Sequence, residues 1–189
     1  IMEAEEWHAT RIAVLEALGR SEEAQQHRWQ VFCQTLSIPL LRDYLNRLDD
    51  FADVEAEERA FAVVEQHPMP LAALQFLVFW PALPRAARYV IAQREAWDGD
   101  AYEIYEPAAE RLSADHPVAA SVLFRAMVVF ALVMSRSKRY RYAAEHLRQC
   151  ERLDARIDDW QGLEPHITFE GRLREATALK WSFWQLLER

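Results

Sequence analysis

Glycine is scarce in this chain of 189 residues: there are only four, scattered along its length. Loops that cradle dinucleotides or nucleoside triphosphates need clustered glycines, because the backbone must approach the phosphates closely. The sequence therefore excludes nucleotide-binding enzymes of these two types.

Cysteine is scarcer still, with only Cys33 and Cys150. Two cysteines without paired spacing form neither a disulfide framework nor a zinc site, so we predict a reducing, cytoplasmic location. The acidic first residues lack the basic region and apolar run of a secretory signal. Because Ile1 is not a natural initiator, we expect the chain to be part of a longer protein.

Long apolar runs are also missing. The most apolar stretch, residues 118–134, has Arg125 near its centre and is short for a bilayer crossing, so it predicts a buried core helix and no membrane association. Acidic residues outnumber basic ones by 30 to 22, which gives a net charge of −8. This balance is unfavourable for an overall cationic nucleic-acid surface.

What the sequence has in abundance is helix formers: Ala, Leu, Glu and Arg occupy 90 positions, whereas Val, Ile and Thr occupy 23. This composition predicts an all-α fold. Gly19, prolines and the cap residues Ser21, Ser37 and Asp53 divide the chain at short intervals. The resulting helices are predicted at about 3–18, 22–36, 39–48, 54–66, 70–79, 84–96, 102–112, 117–134, 138–157 and 165–187.

Short helices with short connections pack as antiparallel hairpins. Residues 15–24 resemble the turn and small-residue spacing of tetratricopeptide repeats, and residues 137–144 repeat that pattern less completely. We therefore predict one domain over residues 1–189, an irregular tetratricopeptide-like α/α solenoid capped by a long last helix. The groove of such an array favours binding of a protein or peptide partner.

Strings along most of the chain resemble an uncharacterised family of bacterial proteins, a domain of unknown function that often forms the later part of longer chains. The resemblance implies no established activity, but it supports the helical fold. The strings that carry it are Leu18-Gly19-Arg20, Arg28-Trp29, Leu41-Arg42-Asp43-Tyr44-Leu45, Asp50-Phe51-Ala52-Asp53, Phe79-Trp80-Pro81, Asp98-Gly99 with Tyr102-Glu103, and Arg136-Ser137-Lys138-Arg139-Tyr140 with His146-Leu147.

A basic turn is the main candidate binding site. Cations at a helix start oppose the helix dipole, so an anion is expected beside them. Carboxylates of a neighbouring helix are the interpretation we favour. The alternative is nucleic-acid phosphate, with tyrosines stacking on bases, which would make the protein a nucleic-acid accessory module. The candidate residues are Arg136, Lys138, Arg139, Tyr140 and Arg141.

Tryptophan is the second candidate binding feature. Trp80, Trp97 and Trp181 are possible anchors for a partner peptide or for a second copy of the chain, as in a homodimer. Along the last helix an apolar stripe is interpreted mainly as closing the core; it comprises Phe169, Leu173, Ala176, Phe183, Trp184 and Leu187.

No residue set predicts a cofactor or a metal site. His146 and Cys150 are four residues apart, as are His166 and Glu170, but no further ligands accompany either pair, and Cys150 continues an apolar series that predicts a buried thiol. The acidic clusters at residues 49–58 and 98–106 open helices, where acids stabilise the dipole. An enzyme that uses these acids is the third hypothesis, and it requires at least two of them to meet in one pocket.

Overall fold

The computed structural model of the chain describes residues 2–188. Within that range the protein consists of eleven α-helices and one short 3₁₀ helix, with no strand. The predicted all-α fold is confirmed. The helices are α1 (Met2–Ala17), α2 (Ser21–Thr35), α3 (Ile38–Leu45), α4 (Ala52–Glu65), α5 (Pro70–Phe79), α6 (Leu83–Ala92), α7 (Tyr102–Leu112), α8 (Pro117–Val133), the 3₁₀ turn Ser137–Arg139, α9 (Tyr140–Asp154), α10 (His166–Ala176) and α11 (Trp181–Leu187).

The helices form two compact units, Ile1–Phe76 and Leu77–Arg189. In the first unit, α2 packs against α1, α3 and α4, and α3 also packs against α4. In the second, α8 packs against α6, α7 and α9, while α9 also contacts α10 and α11. The assignment of residues 1–189 to one domain stays a prediction.

A buried guanidinium ties three helices of the first unit together. Arg28 of α2 is only 1% exposed, and it donates to Glu16 of α1 and to Asp43 of α3, each at 2.5 Å. Its Nη1 also donates to Gln25 Oε1 at 3.2 Å. Because Glu16 lies on α1 and Asp43 on α3, Arg28 links these two helices to α2 through charge-assisted hydrogen bonds.

The first helix ends as predicted at Gly19, which has a φ of +71°. The N–H of Arg20 donates to the carbonyl of Leu15 and that of Gly19 to Glu16, the pattern of a Schellman motif. Of the three predicted caps, Ser37 takes the N-cap position of α3, although its side chain makes no capping hydrogen bond. The other two are wrong, because Arg20 and Phe51 take the N-cap positions of α2 and α4, and Ser21 and Asp53 lie inside these helices.

The second unit is built around α8, whose position as a buried core helix is confirmed. Eleven of its 17 residues are buried, on more than one face, because three helices pack around it. None of the helices within residues 2–188 has the length and apolarity to cross a membrane.

The predicted long last helix is wrong: the chain breaks between α10 and α11 at residues 177–180. Thr177 is buried, its Oγ1 donates to the carbonyl of Leu173, and its own carbonyl accepts from the indole N–H of Trp184 at 3.2 Å. The carbonyl of Thr177 also accepts from the N–H of Lys180, which turns the chain. Despite this break, most of the predicted apolar stripe is part of the core. One buried cluster with residues of α8 and α9 contains Phe169, Leu173, Phe183 and Trp184.

Removing the Arg28 guanidinium tests its role in the first unit. We expect Arg28→Met to lower the free energy of unfolding by roughly 2 kcal/mol at pH 7, because charge-assisted hydrogen bonds to two carboxylates are lost. Arg20→Met is the control, since its ion pair with Glu23 is exposed and surface pairs contribute little. Equal melting temperatures of the two variants would contradict this role.

The same variant changes the dependence of stability on pH. The hydrogen bond from Arg28 lowers the pKa of Glu16, and the charges of Arg28 and Arg47 act in the same direction. A carboxyl with a lower pKa in the folded state stabilises it above the ordinary pKa, and this contribution is lost as the pH falls through the lowered value. Between about pH 5 and pH 3 the melting temperature of Arg28→Met should therefore fall less steeply than that of the wild type.

Candidate functional site

The segment between α6 and α7, residues 97–100, is held by hydrogen bonds at both ends. Trp97 is buried, and its Nε1 donates to the carbonyl of Val90 at 2.9 Å. Asp98 Oδ1 accepts from the N–H of Asp100 at 2.9 Å and from the hydroxyl of Tyr105 at 3.2 Å. Burial, then the charge of Asp98, raises the pKa of Tyr105 to about 12, so the hydroxyl stays protonated and donates.

Gly99 presses this segment against the backbone of α8. Its φ is +81°, in the left-handed region, and a Cβ added here would lie 2.2 Å from the carbonyl oxygen of Ala126 and 2.9 Å from the backbone nitrogen of Met127. No other residue fits without moving the turn or the helix. We call residues 97–100 the clamp turn, because their position is fixed by direct contact with α8.

A pocket of about 240 Å³ lies on one side of the clamp turn. Its walls come from the clamp turn, α7, α8, the 3₁₀ turn and α9. The lining residues are Gly99, Tyr102, Glu106, Met127, Ala131, Arg139, Tyr142, Ala143 and His146. Of the five residues of the basic turn, only Arg139 lines the pocket.

Arg139 is the one residue of the basic turn with an ion pair within the described part of the chain. Its Nη1 lies 3.3 Å from Asp100 Oδ1, and its guanidinium stacks on the ring of Tyr102 at 4.3 Å. The favoured interpretation predicts a carboxylate from a neighbouring helix; the carboxylate that pairs with Arg139 belongs instead to the clamp turn before α7. Tyr140 is buried and packs edge-to-face on Phe183, so it belongs to the core and not to the pocket surface.

The other three cations of the basic turn are exposed. Arg136 lies 6.0 Å from the ring centroid of Phe130, and Arg141 lies 5.5 Å from that of Tyr142. Lys138 is exposed as well. Across residues 2–188, no carboxylate forms an ion pair with any of these three side chains, so their charges face solvent beside the pocket.

Glu106 and His146 meet inside the pocket, 3.1 Å apart between Oε1 and Nε2. His146 is buried against the ring of Phe124, and its Nδ1 has no hydrogen-bond partner in the described structure. The sequence instead placed His146 with Cys150 as a weak metal pair. Cys150 is fully buried, and burial raises the pKa of its thiol to about 12, so it is the protonated structural thiol that its apolar spacing predicted.

The acidic residues of the second cluster do not share this pocket. Asp98 bonds to Tyr105, Asp100 pairs with Arg139, and only Glu106 lines the pocket. The other predicted pair, His166 and Glu170, lies 3.5 Å apart, and burial lowers the pKa of His166. Among residues 2–188 there is no group of three His, Cys, Asp or Glu side chains that could hold a metal ion.

The three candidate tryptophans lie in different environments. Trp97 is buried in the clamp turn, so its ring is not available to a partner, and we leave it out of the proposed site. Trp80 is half-buried after α5. Trp181, at the start of α11, is 66% exposed, but it is not part of the pocket lining.

A family model shows where the chain belongs. The model of a family of unknown function, DUF6880, matches residues 2–186. The chain is a member of this family. The match includes every residue of the pocket, and it confirms the resemblance to an uncharacterised domain. No curated protein and no solved structure matches the chain.

The contact between Gly99 and α8 is testable with a matched glycine. Gly162 has nearly the same φ, +78°, but an added Cβ there would meet nothing within 4 Å. We expect Gly162→Ala to cost about 1 kcal/mol for left-handed strain alone. Gly99→Ala should cost at least about 2 kcal/mol more in denaturant unfolding, because its Cβ also overlaps Ala126. Equal costs would show that the clamp turn is not tightly packed on α8.

Proposed function

We propose that the protein is a helical interaction module that binds an acidic peptide segment of a protein partner at the basic turn. The observation that carries this proposal is a pocket lined by Arg139 and Tyr142, next to which in the chain lie three exposed cations without carboxylate partners, Arg136, Lys138 and Arg141. The chain as a whole has a net charge of −8. A local basic surface beside a cavity therefore attracts an acidic partner, whereas the remaining, acidic surface of the protein repels it.

The size of the pocket supports a peptide side chain as the occupant. Sites for whole small-molecule ligands are typically about 300 to 1,000 Å³, and this pocket is smaller at about 240 Å³. Met127, Ala131 and Ala143 provide apolar walls, while Tyr102 and Tyr142 are exposed enough to contact a neighbouring peptide residue. One apolar or aromatic side chain in the pocket, with acidic residues on either side, fits this combination.

Lys138 and Arg141 supply the charge for the flanking acidic residues. Both are exposed and belong to the turn and first residues of α9 that border the pocket. Arg139 has a different role, because its pairing with Asp100 and stacking on Tyr102 hold the pocket wall in place. The proposed recognition residues are therefore Arg136, Lys138 and Arg141 for charge and Tyr102 and Tyr142 for contact.

Two observations make the alternatives less favourable. A nucleic-acid backbone needs several cationic contacts along its phosphates, and the three exposed cations of the basic turn supply few of them. An enzyme of the kind considered from the sequence needs two acids in one pocket, whereas Glu106 is the only one of the acidic cluster that lines this pocket.

Labelled peptides test the proposal directly. The probes are short peptides with one Leu, Phe or Tyr between Glu residues, and the same peptides with Lys in place of Glu. We expect fluorescence anisotropy to show binding of the acidic series only. Lys138→Glu with Arg141→Glu should weaken that binding by about ten-fold, because attraction at two positions becomes repulsion. Arg88→Glu, at an exposed site on α6, should leave it unchanged.

The outcomes separate the hypotheses. Equal binding of the acidic and basic series, or no binding of either, would contradict the proposal. Tight binding of a single-stranded oligonucleotide, with an affinity that falls steeply as salt rises, would favour the nucleic-acid alternative instead.

A further inference from the structure

A second, separate feature of this unit is an arginine buried in its most apolar helix. Arg125 lies in the middle of α8 and is only 8% exposed. The guanidinium lies between two aromatic rings, 4.2 Å from the centroid of Trp160 and 4.6 Å from that of Phe169. Its Nη1 donates to the backbone carbonyl of Glu164 at 2.8 Å. These contacts hold the planar group in one orientation.

Two of the three nitrogens of Arg125 have no oxygen acceptor. Nε and Nη2 are buried, no oxygen within the described structure accepts from them, and no carboxylate there forms an ion pair with this residue. The Cys150 thiol interacts with the guanidinium, but its sulfur is only a weak acceptor. Nε and Nη2 lie on one edge of the guanidinium, the edge that binds both oxygens of a carboxylate side-on. A buried charge left without these bonds is costly, so a missing anion is the simplest chemical complement.

No neighbouring group supplies that anion. The thiol of Cys150 lies beside the guanidinium but stays neutral, because burial raises its pKa to about 12. The carboxylates of Asp154 and Glu164 act on Arg125 only over a distance, and Glu164 is itself in contact with Arg172. His166 also lies near Arg125, and the positive charge of the arginine is among the causes that lower the pKa of this histidine, after its burial.

Arg125 lines a groove of about 580 Å³. This volume is within the usual range of small-molecule sites. Val122, Val129 and Leu163 contribute apolar walls to it. The remaining charged residues that line it are Arg94 and Arg172, opposed by Glu95, Asp98 and Glu164. With Arg125 included, the three cations balance the three acids, so a singly charged ligand fits the groove better than a dianionic phosphate does.

We propose that this groove is a binding site for a small organic monocarboxylate with an apolar body, whose carboxylate pairs with Arg125 while the body packs along the apolar walls. The site lies on other residues than the peptide pocket, and it does not depend on the proposed function. Trp97 and Asp98 line the groove, whereas Gly99 lines the peptide pocket, so the clamp turn contributes to both.

Isothermal titration of the full chain with a series of probes tests this site. The probes are acetate, butyrate, hexanoate and phenylacetate, the neutral amides of the last two, and inorganic phosphate. We expect affinity to rise with the size of the apolar body, and each amide to bind about ten-fold more weakly than its acid. Phosphate should not displace phenylacetate. Equal affinity for acid and amide, no binding of any acid, or tighter binding of phosphate would overturn the proposal.

Variants identify Arg125 as the cause. Arg125→Gln should make hexanoate and its amide bind equally weakly, a change that general loosening of the fold would not produce. Arg88→Gln, which removes the same charge from exposed α6, should preserve the preference for the acid. Should Arg125→Gln fail to fold, Leu163→Trp fills the groove from the loop between α9 and α10 while every residue of α8 is kept, and it should abolish binding with an unchanged circular dichroism spectrum. If Arg125→Gln still prefers the acid, or if Leu163→Trp still binds it, the carboxylate binds at a site other than this groove, and the proposal is wrong.

Discussion

The candidate site of this family member depends on one backbone contact, that of Gly99 with α8 at Ala126. A side chain at position 99 would occupy the space of the helix carbonyl, so the clamp turn and α8 touch without intervening atoms. The hydrogen bonds of Trp97 and Asp98 then hold the turn at this distance. Arg139 pairs with Asp100 of the same turn, so this ion pair connects the basic turn to the clamp turn.

Each of the two units contains a buried arginine, and the two arginines differ in their hydrogen-bond partners. In the first unit, each nitrogen of buried Arg28 has an oxygen acceptor, and the residue joins three helices. In the second, Arg125 is also buried, at 8% exposed, but two of its nitrogens have no oxygen acceptor. The acceptors of Arg28 explain its structural role, whereas the surroundings of Arg125 leave part of its charge without a partner. We therefore assign a ligand to Arg125 and none to Arg28.

Local features of the chain were predictable from the sequence. Composition indicates helices, Gly19 ends α1, and the apolar run around Arg125 forms the buried α8, since each depends on residues that are close together in sequence. A contact between distant residues was missed: Glu106 meets His146 across 40 positions, so this pair has no local signal. The break after α10 was missed for another reason, because the apolar stripe continues through it in the sequence although Thr177 and Trp184 are only seven positions apart. The sequence alone shows that cations cluster in the basic turn. Only the packed structure shows that Arg139 is paired with a carboxylate and that Lys138 is exposed.

Amide hydrogen exchange in the clamp turn measures how often this turn leaves α8. If the contact at Gly99 holds the turn, the amides of Asp100 and Tyr102, which donate to Asp98 Oδ1 and to the carbonyl of Asp100, should exchange much more slowly than those of an open surface loop. Exchange at the rate of an open surface loop, while α8 stays protected, would show that the turn moves independently and would contradict this account of the site.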